Sequence, residues 1–286
     1  MNKRHGWVNY HERMARVLTH VHAHLDEPLD LARLAHLAHL SAHHWHRTYH
    51  ALYGETLAAT VRRLRLQRAS GELANSSRSV LEIARRNGYP NAQSFARAFK
   101  AAYGLAPLAF RCHGPHVAYA PERAGDALPA GYAVEVRRLD RVHLAGLPHR
   151  GSYMNIGQAF EGALPRLHAL GQVHAHSRWI AAYFDDSATV PMAQLSAVAG
   201  LSVPQDWPVP TPLQAFVVGG GNCAVLRYKG PYATMHAAYR WLFGPWLLQS
   251  GYCAADLPVF EEYLSSPRDT APADLLTDIC VPLADT

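Results

Sequence analysis

Residues 258–264 read PVFEEYL. Val, Phe, Tyr and Leu favour a strand, and two adjacent glutamates do not. Side chains alternate along a strand, so Glu261 shares a face with Val259 and Tyr263. Glu262 shares the other face with Phe260 and Leu264. If one face is buried, a carboxylate is buried with it, and an unpaired charge there is costly. A carboxylate among aromatic rings is a trap for a cation: it supplies charge, and the ring faces add cation–π attraction that grows as water is excluded. Two other arrangements remain open. The strand can lie at a sheet edge with Glu261 in water, where charge discourages edge-to-edge pairing. The parity can also be reversed, with Glu262 inward.

A second set of candidate groups lies in the first part of the chain. Asp30 is placed to cap a helix over LARLAHLA, and Ser41 to cap AHHWHRTYHALYG, which Gly54 ends. A long helix follows from about Thr56 to Ala74. Ser79 and Glu82 form a capping box that opens SVLEIARRN, ended by Gly88, and NAQSFARAFKAAYG ends at Gly104. A short helix, a turn and a second helix therefore occur twice, over 30–53 and 79–103. In the second helix of each pair, Trp45, Tyr49 and Tyr53, then Phe95, Phe99 and Tyr103, recur every four residues and form a core face. The opposite face carries His43, His46 and Arg47 in the first pair and Gln93, Ser94 and Arg97 in the second. These side chains can hydrogen-bond base edges in a DNA major groove. Arg62, Arg63, Arg65 and Arg68 on the long helix suit phosphate contact or a solvated basic face equally. His20/His24 and His46/His50 have the i,i+4 spacing of a metal pair. With no acidic or cysteine partner beside them, surface histidines and no metal are expected.

The 286-residue chain has ample length for two domains. It contains no apolar run long enough to span a membrane and no apolar stretch near its start that suits a signal peptide. Cys112, Cys223, Cys253 and Cys280 form no CxxC pair, which fits reduced thiols in a cytoplasm. Residues 1–114 hold 16 Lys and Arg against 7 Asp and Glu, whereas 115–286 hold 11 against 15. A basic half joined to an acidic one suits a polyanion partner for the first half only. The expected division is an all-α domain over 1–112, a Pro/Gly/Ala-rich linker over 113–131, and an α+β domain over 132–286. Strands are expected in YAVEVRRL, RWIAAYF, QAFVVGG, CAVLRYKG, PVFEEYL and TDICVPL. The second domain also repeats itself. LAGLPHRGSYMNIGQAFEGALPRLHALG can be laid beside AVLRYKGPYATMHAAYRWLFGPWLLQSG, with basic-Gly-x-Tyr elements that begin at Arg150 and Lys229. RWIAAYFDD then aligns with PVFEEYLSS, which sets Tyr183 against Tyr263 and Ala181 against Glu261. Two such repeats are expected to pack their sheets together around a cleft.

The ordered run from LARLAHLAHL through IARRNGY and FARAFKAAYGLAP to AFR resembles the DNA-binding domain of AraC/XylS-type transcription regulators. The resemblance implies a double helix-turn-helix. Arg47 with His43 and His46 would read one groove segment, Gln93, Ser94 and Arg97 the next, and the long helix would set their spacing. YKGPY, WLFGPWLLQSGY, FEEYL and LLTDICVPL resemble a GyrI-like effector-binding domain. That resemblance makes Glu261 the pocket carboxylate, with Tyr263, Tyr153, Trp179, Tyr183, Tyr232 and Trp246 as ligand-binding walls.

Together these imply a one-component regulator, not an enzyme, with no cofactor, that binds double-stranded promoter DNA and a small hydrophobic cation. It has room for contact with RNA polymerase, though no motif identifies one. Two other functions fit the second domain. It could hydrolyse small electrophiles, with Glu261 as general base and Tyr263 as hydrogen-bond donor, or serve as a protein-interaction module without a ligand. DNA affinity should fall steeply with salt, log K dropping by about 0.9 per phosphate neutralised per decade of salt. Arg47→Ala or Arg97→Ala should each cost roughly 1–3 kcal/mol on a specific site in a binding titration.

Overall fold

The computed structural model describes residues 13, 14, 16–28, 30–39, 49, 50, 53, 55–113, 131–187 and 190–284. Residues 114–130 of the expected linker lie outside them, as do the expected cap Ser41 and stop Gly54. The chain divides into a helical unit and a sheet unit.

The sheet unit holds eight strands: β1 (Val134–Leu139), β2 (Val142–Arg150), β3 (Trp179–Tyr183), β4 (Ser196–Ser202), β5 (Gln214–Val218), β6 (Gly221–Lys229), β7 (Val259–Tyr263) and β8 (Leu276–Pro282). They form one sheet in the order β1-β6-β8-β7-β3-β4-β2-β5, with every neighbouring pair antiparallel. The expected pair of packed sheets is thus a single sheet, because the repeats join edge to edge through β3 and β7. The order is its own mirror when β2, β3 and β4 are matched with β6, β7 and β8. Ala181 and Glu261 are counterparts in the repeat and also partners across the β3–β7 ladder, so the pseudo-two-fold axis passes between them. The outermost strands are exchanged: β1 precedes β2 but pairs with β6, and β5 precedes β6 but pairs with β2.

β4, SAVAGLS, was not among the expected strands, since Ala, Gly and Ser are weak strand formers. Small residues are needed there, because Gly200 faces Gly146 on β2 and a Cβ on either would strike the other strand's backbone. One face of the sheet carries Leu226, Ile279 and Val281 with Ala238 and Leu242 from the helical turns. The other buries Leu144, Ile180, Val225 and Phe260.

In the helical unit, helices cover Leu31–Leu37, Leu57–Asn75, Val80–Arg86, Ala92–Tyr103 and Pro107–His113. The expected caps at Asp30 and Ser79 form. The Asp30 carboxylate accepts from the Arg33 N–H at 3.0 Å, and Ser79 and Glu82 make the reciprocal capping box. Gly104 ends its helix in the left-handed conformation. Tyr49 and Tyr53 are buried with Val17, Leu34 and Val61. Phe95 and Phe99 are fully buried, and Tyr103 stacks on Phe99 at 4.4 Å.

The arginines of the long helix are neither a phosphate row nor a solvated face. Arg63 pairs with Glu55 at 2.7 Å. Arg65 donates to the carbonyls of Leu25 (2.7 Å), Glu27 (2.5 Å) and Gly88 (3.4 Å). Arg68 donates to the Asn87 side chain and the Arg86 carbonyl. Only Arg62 of the four is exposed. Helix ends leave carbonyls without partners, and a guanidinium can collect several of them. Gly88 sits at φ +71°, where a Cβ would fall on the Arg65 guanidinium. Gly88→Ala should therefore lower stability by roughly 1–3 kcal/mol, read as a shift of the urea midpoint. Gly88→Asn, which tolerates the left-handed region better, should recover only part of that loss, since Arg65 still blocks the site.

Candidate functional site

β7 lies between β3 and β8, not at an edge, and Glu261 is only 6% exposed. Both alternatives to an inward Glu261 fail. Glu262 points to the opposite face, where the Arg178 guanidinium grips it at 2.7 and 2.6 Å. Glu262 stands opposite Asp278 on β8, and Arg227 neutralises that second carboxylate in the same two-pronged way.

Among the described residues, Glu261 has no such cation. Three phenols meet it: Tyr239 donates to Oε1 at 2.6 Å, and Tyr263 and Tyr183 approach Oε2 at 2.6 and 3.1 Å. The Tyr183 and Tyr263 hydroxyls also lie 2.6 Å apart. The arrangement follows from register. Tyr263 is on the same face as Glu261 two residues on, Tyr183 is two residues past Ala181 on the adjacent strand, and the Ala181 methyl leaves room for the longer side chain. Burial raises the Glu261 pKa above its ordinary value, and the phenol hydrogen bonds only partly offset that. Burial first, then the nearby carboxylate, holds Tyr183, Tyr239 and Tyr263 well above the usual tyrosine range.

Around this cluster, Tyr153 sets its ring edge-on to Tyr183 at 4.7 Å, and its repeat counterpart Tyr232 does the same to Tyr263 at 5.6 Å. The Tyr153 hydroxyl bridges the carbonyls of Asp185 and Ser196, so only its ring serves the site. Trp179 faces Tyr263 across the ladder and packs on Phe160 at 5.6 Å. Trp246 is not among these contacts. It ends the π-helical turn Leu242–Trp246 and stacks on Tyr252 at 6.4 Å.

Sequence reasoning missed Tyr239, although a signal existed: the repeat alignment sets it against Phe160. It also missed Thr277, the counterpart of Ala197. Thr277 lies opposite Tyr263 on β8, 1% exposed, and its hydroxyl has no hydrogen-bond partner among the described residues. At three matched positions, 181/261, 160/239 and 197/277, the first repeat is apolar and the second polar.

On the helical side, Gln93 and Arg97 are exposed on the Ala92–Tyr103 helix, opposite buried Phe95 and Phe99. Ser94 is partly committed to its own helix start: its N–H donates to the Asn91 side chain and its hydroxyl to the Asn91 carbonyl. His43, His46 and Arg47 lie outside the described residues. His20 and His24 stack with centroids 4.0 Å apart, and no metal-binding group of three is found among the described residues. Nor is any described helix long and apolar enough to cross a membrane.

Residues 132–284 match the GyrI-like small molecule binding domain, and residues 34–113 match a helix-turn-helix domain. Over 95 residues the chain is 32% identical to the Right origin-binding protein of Escherichia coli K12, 33% of each chain. Over 88 residues it is 34% identical to the MmsAB operon regulatory protein of Pseudomonas aeruginosa, 31% of this chain and 29% of that one. The chain thus spans about a third of the length of these curated relatives. Among solved structures, the DNA-binding domain of AdpA in complex with a target DNA is 28% identical, covering 34% of this chain and 88% of that one at a TM-score of 0.33.

A carboxyl whose pKa is raised by folding contributes stability while it is protonated, and that contribution is lost as pH rises through the folded value. Glu261→Gln keeps a neutral side chain at every pH. Its Tm should exceed that of wild type at about pH 8, and the gap should close toward the ordinary glutamate value of 4.5. Thermal melts of both proteins across that range test the sign.

Proposed function

The chain belongs to the GyrI-like small molecule binding domain family through residues 132–284 and carries an AraC-type helix-turn-helix domain ahead of it; on that premise we propose that it is a transcription regulator controlled by a small hydrophobic cation. The observation that carries the ligand class is Glu261: a buried carboxyl group solvated by three phenols, with no Lys or Arg beside it among the described residues. Glu262 and Asp278, on the other face, each have an arginine. A site that leaves one carboxylate without a cation, walled by Tyr183, Tyr263, Tyr153, Tyr232 and Trp179, suits a cation brought by a ligand. The orphan Thr277 hydroxyl favours a ligand that also carries a hydrogen-bonding group.

In this proposal residues 1–112 read promoter DNA, 113–131 link, and 132–286 sense the effector. Gln93 and Arg97 meet base edges, with Ser94 beside them, and Arg47, His43 and His46 read the neighbouring segment. The regulator works in the cytoplasm, and RNA polymerase is the machinery it acts on. Effector binding shifts a conformational equilibrium only through differential affinity for its two states. Hydrolysis gains no support from the geometry. A general base needs an oxygen open to a reacting water, and both Glu261 oxygens are engaged by phenols.

A thermal-shift panel tests the ligand class. An aromatic quaternary ammonium ion at a hundredfold excess over Kd should stabilise wild type by about 2.7 kcal/mol. Its neutral isostere should do little, and Glu261→Gln should lose most of the shift. Equal shifts for cation and isostere would remove Glu261 from ligand binding.

A further inference from the structure

Resting on the proposed ligand site, an inference about its resting state follows from counting protons. Four close oxygen–oxygen contacts join Glu261, Tyr183, Tyr239 and Tyr263: 2.6 Å from Tyr239 to Oε1, 2.6 Å from Tyr263 to Oε2, 3.1 Å from Tyr183 to Oε2, and 2.6 Å between Tyr183 and Tyr263. Each hydrogen bond needs one proton, and each phenol supplies one. Three phenols therefore fill three contacts. The fourth requires a proton on the carboxyl. With an ionised Glu261, two oxygen lone pairs would face each other at 3.1 Å or less in a buried site.

No cation among the described residues stands against Glu261 to hold a negative charge. Among the described residues the groups acting on Glu261 are Tyr183 from β3, Tyr263 from β7 and Tyr239 from the His236–Trp241 helix. Tyr232 stands behind Tyr263, and Ile279 faces Glu261 from β8. We infer that the empty site holds its own proton on Glu261 and exchanges it for the ligand cation one for one. On binding, the carboxyl O–H bond breaks and the proton leaves through the phenol ring of contacts to water. The carboxylate then pairs with the cation. Below the pH at which the empty site ionises, cation affinity should rise about tenfold per pH unit, and above it should level off.

The test uses the full chain and benzyltrimethylammonium, whose fixed charge carries no titratable proton. Calorimetry at neutral pH in two buffers of different ionisation enthalpy should give about one proton released per cation bound. Zero release, or an affinity independent of pH, overturns the exchange while leaving the cation site intact. Absence of any binding sinks the cation site itself. A ligand-free measurement keeps the two failures apart. The infrared difference between wild type and Glu261→Gln at neutral pH should contain a protonated-carboxyl C=O band. A carboxylate band in its place overturns the resting proton whatever the cation does. Tyr183→Phe removes two of the four contacts and one phenol proton; the two remaining phenols then fill the two remaining contacts, so the substitution should weaken the C=O band and lower the proton release per cation.

Discussion

The sheet unit depends on a buried carboxyl group that three phenols keep hydrogen-bonded in a dry place. Desolvation alone would make Glu261 a large liability, and removing any phenol would leave part of it unpaired. What brings the phenols together is the β3–β7 ladder. Its register puts Tyr183 and Tyr263 on the face of Glu261, and the helical turn over that face adds Tyr239. The same ladder joins the two repeats into one sheet, so the interaction that builds the site also builds the domain.

An exact two-fold would place identical side chains beside each other at the axis. Two glutamates there would repel at close range, and two alanines would leave no charge. The repeat resolves this by divergence. Ala181 gives space and Glu261 uses it, while Phe160 and Ala197 keep the first half apolar where Tyr239 and Thr277 make the second polar. On the far face, neighbouring carboxylates are tolerated for a different reason: Arg178 and Arg227 each bind one of them bidentately.

The helical unit solves its own polar problem with guanidinium groups. Arg65 and Arg68 collect carbonyls at the ends of neighbouring elements, which ties the long helix to the turn at Asn87 and Gly88. That turn leads into the helix bearing Gln93 and Arg97, so these arginines position a candidate reading helix without belonging to its exposed face. Basic charge in the first half is therefore split between struts and exposed side chains, and only the latter are available to a polyanion.

Local patterns were legible in the chain. Caps, glycine stops, aromatic spacing and the alternation of FEEYL depend on a few neighbouring residues, and so does the internal repeat. These determined the helical and α+β halves, the strand that carries Glu261 and the parity that separates it from Glu262. The tertiary structure decided the rest, because it turns on who stands beside whom. Whether β7 is central, whether Glu261 meets phenols or arginine, and whether Arg65 meets phosphate or backbone are set by contacts between residues far apart in the chain. β4 shows the limit most plainly. Its small residues signal little locally, and they are required only because β2 passes so close that a Cβ does not fit.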